Sequence, residues 1–522
     1  MVRQIIERRI ISRFVVNLAI AAALISTQST STVSTASSAP TVTVPGHVPA
    51  FTSRATRLSR LPADQQLSLT VALRPRSTTA LTDAVALSQS RAPRRLTVDE
   101  LGAAIGQSAM NIDALTSYFR AQGLSVEPVV PDRLSFRVSG RVSRLEPLFA
   151  IELANYEDSA GHLFFSTDRD PSLPADLASS VQAIYGLDDY PALRPFNQRV
   201  TNSNPAFYTP ADMRTAYDVN PLYTVGFNGS GQTIGILGCY TFLDSDIAGF
   251  ETSYGMPNAS ITRVKVDGGA ITSDPEPTID VEWSLAIAPN ASIIYYGFSD
   301  VVNPGACSFS SLYDAVVRVG SDNQASIVSI SFGACEDDFA SFGYLQGMEN
   351  QFQASAALGQ SIFVSSGDSG ATNPPDCPGL SVSYPASSAY VTATGGTSLY
   401  TTSNGTYLSE SAWGSPTSCN GKPCGTGGGI SHDIPEPSWQ SAAPILSTNG
   451  FRGLSDIAWN SDPNTGNVLY LTGFGCNGLC CCFGGTSIAA PQWAGVAAIA
   501  DQAGGTRLGQ LAPLLYSPAA RS

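Results

Sequence analysis

Ser487 follows a glycine pair and opens a small-residue segment, Gly484-Gly485-Thr486-Ser487-Ile488-Ala489-Ala490-Pro491, near the end of the 522-residue chain. Glycines permit a sharp turn and close approach of a ligand. A helix starting behind the serine supplies free N–H groups and positive dipole for a developing oxyanion. This is the setting of a nucleophilic serine, which needs a base. The chain holds three histidines, His47, His162 and His432. The first two lie in an N-terminal region expected to be removed, and His432 sits in a glycine-rich context that lacks a general-base motif. The base is therefore sought among the carboxylates.

Asp274-Pro275-Glu276-Pro277-Thr278-Ile279-Asp280-Val281-Glu282-Trp283 reads as a helix start, with Asp274 able to cap it and Pro275 suited to its first turn. Glu276 and Asp280 then stack on one face. Acidic residues are common in a first turn, but two at this spacing repel unless they share a proton, and such a pair holds a base poised in acid. Asp368, in Ser365-Ser366-Gly367-Asp368-Ser369-Gly370, follows an apolar run that reads as a buried strand. Gly-Asp-Ser-Gly is also an ordinary turn sequence. Held protonated, Asp368 would donate a hydrogen bond to an oxyanion.

The segments that must position these groups read as follows. Leu67–Leu73, Arg133–Val138 and Ile151–Tyr156 alternate as strands, with helices over Val98–Gly106, Asn111–Gln122 and Ser143–Phe149; the pattern predicts a small α+β unit with an antiparallel sheet. Later, Thr233–Leu237, Ile293–Tyr296, Ser326–Phe332, Ile362–Ser365 and Tyr390–Ala393 read as buried strands. Helices near Phe309–Val319, Tyr344–Ala357 and Thr486–Ala503 separate them. Apolar strands alternating with helices predict an α/β fold whose parallel sheet is covered on both faces, with the site at the carboxyl ends of the strands.

Composition limits the function. Only 13% of residues are charged and the net charge is −14, which disfavours nucleic acid as a partner. The charge is uneven: residues 200–522 carry 8 basic against 25 acidic residues, while residues 1–199 carry 20 against 17. A basic segment docked on an acidic one is one reading, and protonation would then loosen it; simple compositional drift is the other. Arg3, Arg8, Arg9 and Arg13 precede the apolar run Phe14–Ile25, which reads as an export signal spanning residues 1–39. No later run is apolar and long enough to span a bilayer, so a secreted, extracellular protein free of the membrane after signal removal is expected. Nine of the ten cysteines lie beyond position 300. An even count in an exported chain favours disulfides, and Cys476, Cys480, Cys481 and Cys482 lack the two separated ligand pairs of a typical zinc site.

Taken in order, Glu276 with Asp280, Ser329-Ile330-Ser331-Phe332-Gly333 with Gly367-Asp368-Ser369-Gly370, and Gly484-Gly485-Thr486-Ser487 through Pro491 resemble the sedolisin family of serine-carboxyl peptidases, including kumamolisin-like members. Gly427-Gly428-Gly429-Ile430-Ser431, Pro437-Ser438-Trp439-Gln440 and Asp462-Pro463-Asn464-Thr465-Gly466 add to the likeness. Leu69-Thr70-Val71-Ala72-Leu73-Arg74-Pro75 and Gly186-Leu187-Asp188 resemble that family's activation propeptide.

The resemblance implies a subtilisin-like α/β catalytic domain preceded by a ferredoxin-like prodomain. Together with the export signal, the Ser/Thr/Ala/Pro-rich composition of the stretch after it and the Pro/Asn/Ser-rich composition beyond Pro191, this gives a signal peptide (1–39), a linker (40–61), an activation propeptide (62–190), a linker with the maturation cleavage (191–206) and a catalytic domain (207–522). In roles, Ser487 would be the nucleophile, Glu276 its base, Asp280 the partner of Glu276, and Asp368 an oxyanion donor beside the Ser487 N–H. Substrates would be proteins or peptides, cut by an endopeptidase or a tripeptidyl-peptidase in acid, and the propeptide would inhibit within the same chain of a monomer. Two departures stand out. Phe332 occupies a position where the family usually has Trp, and no residues up to Ser522 match the family's calcium site, so calcium is expected but not placeable and the catalytic domain reads as C-terminally incomplete. A catalytically inactive binding protein and a conventional enzyme using His432 are the competing readings.

Overall fold

The computed structural model describes residues 40–517 apart from 91–92, 201–205, 342, 373–376, 378, 420–421 and 444–447. The expected signal peptide and the centre of the second linker lie outside the described residues.

The first folded unit comprises, in chain order, β1 (Gln66–Leu73), α1 (Thr78–Ser88), α2 (Val98–Ile105), α3 (Ala109–Ala121), β2 (Ser125–Val126), β3 (Ser135–Arg141), α4 (Val142–Phe149) and β4 (Val181–Tyr185). Local chemistry sets its helix starts. Ser77, Thr97 and Ser108 each accept a hydrogen bond from the backbone three residues on, and Thr97 with Glu100 forms a reciprocal capping box. The antiparallel sheet runs β2-β3-β1-β4, a ferredoxin-like order that buries Leu69, Val71, Phe136 and Val138 against Leu115, Phe119 and Phe149.

Residues 40–61, expected from composition to be a linker, are built into this unit instead. Thr41–Thr43 pairs with Ser172–Pro174, Thr56–Arg60 pairs with Leu153–Glu157, and Val44, His47, Phe51 and Leu61 are buried. The few apolar residues of a Ser/Thr/Pro-rich stretch anchor it, which composition alone conceals.

The second part contains β5 (Thr233–Gly238), β6 (Ile261–Asp267), α5 (Pro275–Ile287), β7 (Ser292–Ser299), α6 (Phe309–Asp322), β8 (Ile327–Ile330), α7 (Leu345–Ala357), β9 (Ser361–Ser365), β10 (Thr392–Thr401), β11 (Tyr407–Ala412), β12 (Ile457–Asn460), β13 (Thr465–Gly473), β14 (Cys476–Gly484) and α8 (Thr486–Gly504). The main sheet has the order β6-β7-β5-β8-β9-β10-β11, with β12 also paired to β10, and only the β10–β11 pairing is antiparallel. Alternate residues of β7 feed two cores. Ile294 and Tyr296 join α6 and α7 on one face, while Ile293 and Tyr295 join α5 and α8 on the other. This is the subtilisin-like α/β layering.

Two features depart from the sequence pattern. The run Ser326–Phe332 is not one strand: β8 ends at Ile330, and Phe332–Cys335 leaves to pair antiparallel with Arg194–Pro195 and Ser383–Tyr384. The edge strand β6, with sequence ITRVKVD, is too polar and exposed to announce itself by hydrophobicity.

The first unit rests on the α6 and α7 face. Tyr185 stacks on Tyr313 at 3.8 Å and Tyr344 at 4.4 Å, and its hydroxyl donates to the Tyr344 carbonyl at 2.7 Å. Arg137 pairs with Asp267 and, at 3.3 Å, with Asp314. Five disulfides link Cys239–Cys307, Cys335–Cys377, Cys419–Cys424, Cys476–Cys480 and Cys481–Cys482. Among the described residues no helix is long and apolar enough to cross a membrane.

Candidate active site

Two helices carry the central pair. Asp274 caps α5, its side chain accepting from the Glu276 N–H at 2.9 Å, and Pro275 occupies the first turn. The helix is buried on all sides, so Glu276 and Asp280 point into protein rather than water. α8 crosses it closely because Gly495 faces Ile287 and the Ser284 carbonyl, where a Cβ would come within 2.8 and 3.0 Å. Gly485 starts α8 at φ +96°, a conformation that favours glycine, and Ser487 follows in the first turn. Small residues are thus what bring the serine down onto the carboxylates.

Glu276, Asp280 and Ser487 are wholly buried. The Ser487 hydroxyl lies against the Glu276 carboxyl closely enough to favour its charged form, while its own hydrogen bond of 3.3 Å goes to the Ser331 carbonyl. Burial, then the Asp280 charge, push Glu276 upward, opposed by Ser487 and by the Asn197 amide, which donates to Oε2 at 2.6 Å. Burial pushes Asp280 up to about 8, opposed by the Ser331 hydroxyl, which donates to Oδ1 at 2.6 Å. Two buried carboxyls one helical turn apart do not both ionise cheaply, so the pair retains a proton and titrates as a unit.

Asp368 comes from the loop after β9. Its Oδ1 accepts from the Thr486 N–H at 2.8 Å and from the Thr486 hydroxyl at 3.1 Å, and burial raises it to about 7 against the opposing contacts of Thr486 and Gln198. A Cβ at Gly485 would overlap the Phe196 carbonyl oxygen and come within 2.6 Å of Asp368 Oδ2, so both oxygens crowd the same point above the Ser487 turn. All four residues singled out in the sequence are therefore brought to one place.

The site is filled by the chain itself. Arg194 and Pro195 pair antiparallel with Gly333 and Phe332, and Gln198 and Arg199 with Gly484 and Phe483. Between them the Phe196 N–H donates to the Ser331 carbonyl at 3.3 Å, and the Ser487 N–H donates to the Phe196 carbonyl at 3.0 Å. Within the 191–206 stretch, expected to be a Pro/Asn/Ser-rich linker, residues 194–199 thus run across the cleft, strand-paired at 194–195 and 198–199.

None of the histidines is hydrogen-bonded to Ser487. His432 is half-exposed and pairs with Asp337 at 3.1 Å, His162 with Asp158 at 2.8 Å, and His47 is buried in the first unit. Ser331, which contacts both Asp280 and Ser487, is a residue to which sequence reasoning assigned no role, although it lay within a quoted motif. Asn197 carried no sequence signal at all.

Among the described residues, Glu336, Asp337 and Asp433 form the one group of three acidic, His or Cys side chains close enough to share a metal ion, and there Glu336 already accepts from the Ser431 hydroxyl and the His432 N–H. Three carboxylates, one of them partly committed, would supply only part of the six to eight oxygens a calcium ion takes.

Residues 53–190 match the family described as Pro-kumamolisin, activation domain, and residues 268–509 match the Subtilase family. The chain is 31% identical over 504 residues to kumamolisin from Bacillus sp. (strain MN-32), covering 90% of this chain and 86% of that protein. It is 30% identical over 431 residues to sedolisin from Pseudomonas sp. (strain 101), covering 78% and 70%. Among solved structures, Pseudomonas sedolisin, a serine-carboxyl proteinase complexed with two molecules of pseudo-iodotyrostatin, superposes with TM-score 0.55 at 31% identity, covering 61% of this chain and 87% of that one.

Proposed function

Because this chain belongs to the sedolisin family of serine-carboxyl peptidases, we propose that it cuts peptide bonds in acid with Ser487 as nucleophile, Glu276 as base, Asp280 as the partner of Glu276, and Asp368 as oxyanion donor. The supporting observation is the meeting of Ser487 with a buried, proton-sharing carboxyl pair where no imidazole reaches.

In the first step Ser487 Oγ attacks the peptide carbonyl and passes its proton to Glu276. Asp280 spreads the charge of Glu276 and is itself held by Ser331. The oxyanion is met by the Ser487 N–H and by protonated Asp368. Glu276 returns the proton to the leaving amine, and water then releases the acyl group by the same route. Charge on Asp368 would repel the oxyanion, so activity falls as the pH rises towards and beyond the Asp368 pKa.

Endopeptidase action is favoured over tripeptidyl-peptidase action because a continuous strand runs through the cleft on both sides of Phe196. The first unit, which resembles the activation domain, acts as an inhibitor within the chain. Five disulfides accord with export and an extracellular place of action. Digestion of an acid-unfolded protein such as haemoglobin at pH 4, lost in Ser487→Ala and Glu276→Gln, tests the assignment; turnover retained in Glu276→Gln removes that residue from its role.

A further inference from the structure

The structure assigns a single bond, Phe196–Asn197, as the site at which the chain cuts itself, and a preference for an aromatic side chain on the acyl side of the bonds it cuts. This rests on the catalytic assignment above and goes beyond it, since nothing in that assignment selects a bond or a side chain.

The strand through the cleft fixes one register. Pairing of Arg194–Pro195 upstream and Gln198–Arg199 downstream leaves Phe196 and Asn197 opposite the catalytic groups. Only one peptide carbonyl in the strand takes the Ser487 N–H, that of Phe196, and the same oxygen sits beside Gly485 with Asp368 Oδ2. A carbonyl that accepts the oxyanion-site N–H is the carbonyl placed for attack. On the other side of the bond, the Asn197 side-chain amide donates to Glu276 Oε2, the oxygen pair that must receive the Ser487 proton. The bond is therefore seated while its leaving-side residue occupies the base, an arrangement that fits a zymogen at rest.

The step balances as ordinary hydrolysis. Ser487 Oγ bonds to the Phe196 carbonyl carbon and its proton moves to Glu276. The Phe196–Asn197 bond breaks as Glu276 protonates the Asn197 nitrogen. Water then cleaves the ester to leave Phe196 with a free carboxylate and Ser487 with its hydroxyl.

Phe196 is 4% exposed and its ring lies against Gly333, where a Cβ would approach ring carbons at 2.8 and 3.0 Å. A side chain at position 333 would thus fill the space the ring uses, so Gly333 is a specificity-determining position that leaves room for a flat ring.

The test is acidification of purified full-length protein, with intact-mass and tandem mass spectrometry of the earliest products. The inference expects a propeptide fragment ending at Phe196 and a catalytic fragment beginning at Asn197, with a half-time unchanged by dilution because the strand belongs to the same chain. Phe196→Asp should slow that cut or move it. In released enzyme, Gly333→Val should lower kcat/KM on the peptide Pro-Ala-Leu-Arg-Pro-Phe-Asn-Gln-Arg-Val on the order of 100-fold, with the loss shrinking when Ala replaces Phe. Earliest products cut at another bond, while haemoglobin is still digested, would overturn the inference and leave the catalytic assignment standing. If neither haemoglobin nor the chain itself is cut at any acid pH, both fall.

Discussion

Asp368→Ala separates the proposed oxyanion donor from the groups around it. The carboxyl is almost fully buried, holds the Thr486 N–H at 2.8 Å, and is raised to about 7, chiefly by burial, with the strand seated in the cleft. Removing one oxyanion donor costs about 10²–10³ in kcat. Leaving the Thr486 N–H buried without its acceptor costs about 1–3 kcal/mol of stability. The pH sign follows from the raised value. The folded state favours the protonated form, so the donor is present below about pH 7 and is lost above it, and ionisation costs stability in the same direction. Release of the strand rehydrates the carboxyl and lowers its pKa, so in the mature enzyme the loss of activity with rising pH should set in below pH 7. The assay is kcat/KM against pH for wild type, Asp368→Ala and Asp368→Asn, with thermal unfolding as the control for folding. Ala should fall about 10²–10³ at pH 4. Asn, neutral at every pH, should lose the limb that Asp368 ionisation sets in the wild type. Activity of Ala within a few-fold of wild type, or an unchanged alkaline limb in Asn, refutes the role.

Ser331→Ala removes the hydroxyl that stabilises ionised Asp280, so the pair should bind its proton more tightly and the acid limb of kcat/KM should move to higher pH; an unmoved limb would detach Ser331 from the pair. Tyr185→Ala deletes a ring stacked on Tyr313 and Tyr344, and should cost about 3–5 kcal/mol of docking and folding stability, read as faster propeptide loss. His47 is fully buried and lowered to about 4, chiefly by burial, with the Asp170 charge opposing. Its neutral form supports the fold fully above about 6.5, and that support is lost as the pH falls towards 4. In an uncleavable Ser487→Ala background, His47→Gln should narrow the stability difference between pH 7 and pH 4; an equal difference would exclude His47 as an acid-sensitive element.

The residues that do chemistry were legible because each carried a local signature: a glycine pair before a helix, two carboxylates four apart behind a capping Asp-Pro, and an aspartate at the end of an apolar strand. Buried strands such as Thr233–Gly238 and Ser361–Ser365 were legible because each has an apolar core, Ile234–Leu237 and Ile362–Val364, without the alternating polar residues of an exposed strand. What sequence did not reveal depends on partners far along the chain. Ser331 gains its meaning from Asp280, and Asn197 and Phe196 from the cleft they cross.

Fluorophosphonate labelling of Ser487 after strand release, followed from pH 3 to pH 8, tests the carboxylate base most directly. Wild type and His432→Ala should label alike in acid, while Glu276→Gln should remain essentially unlabelled though folded. Wild-type labelling of Glu276→Gln, or loss of labelling in His432→Ala, would contradict the account.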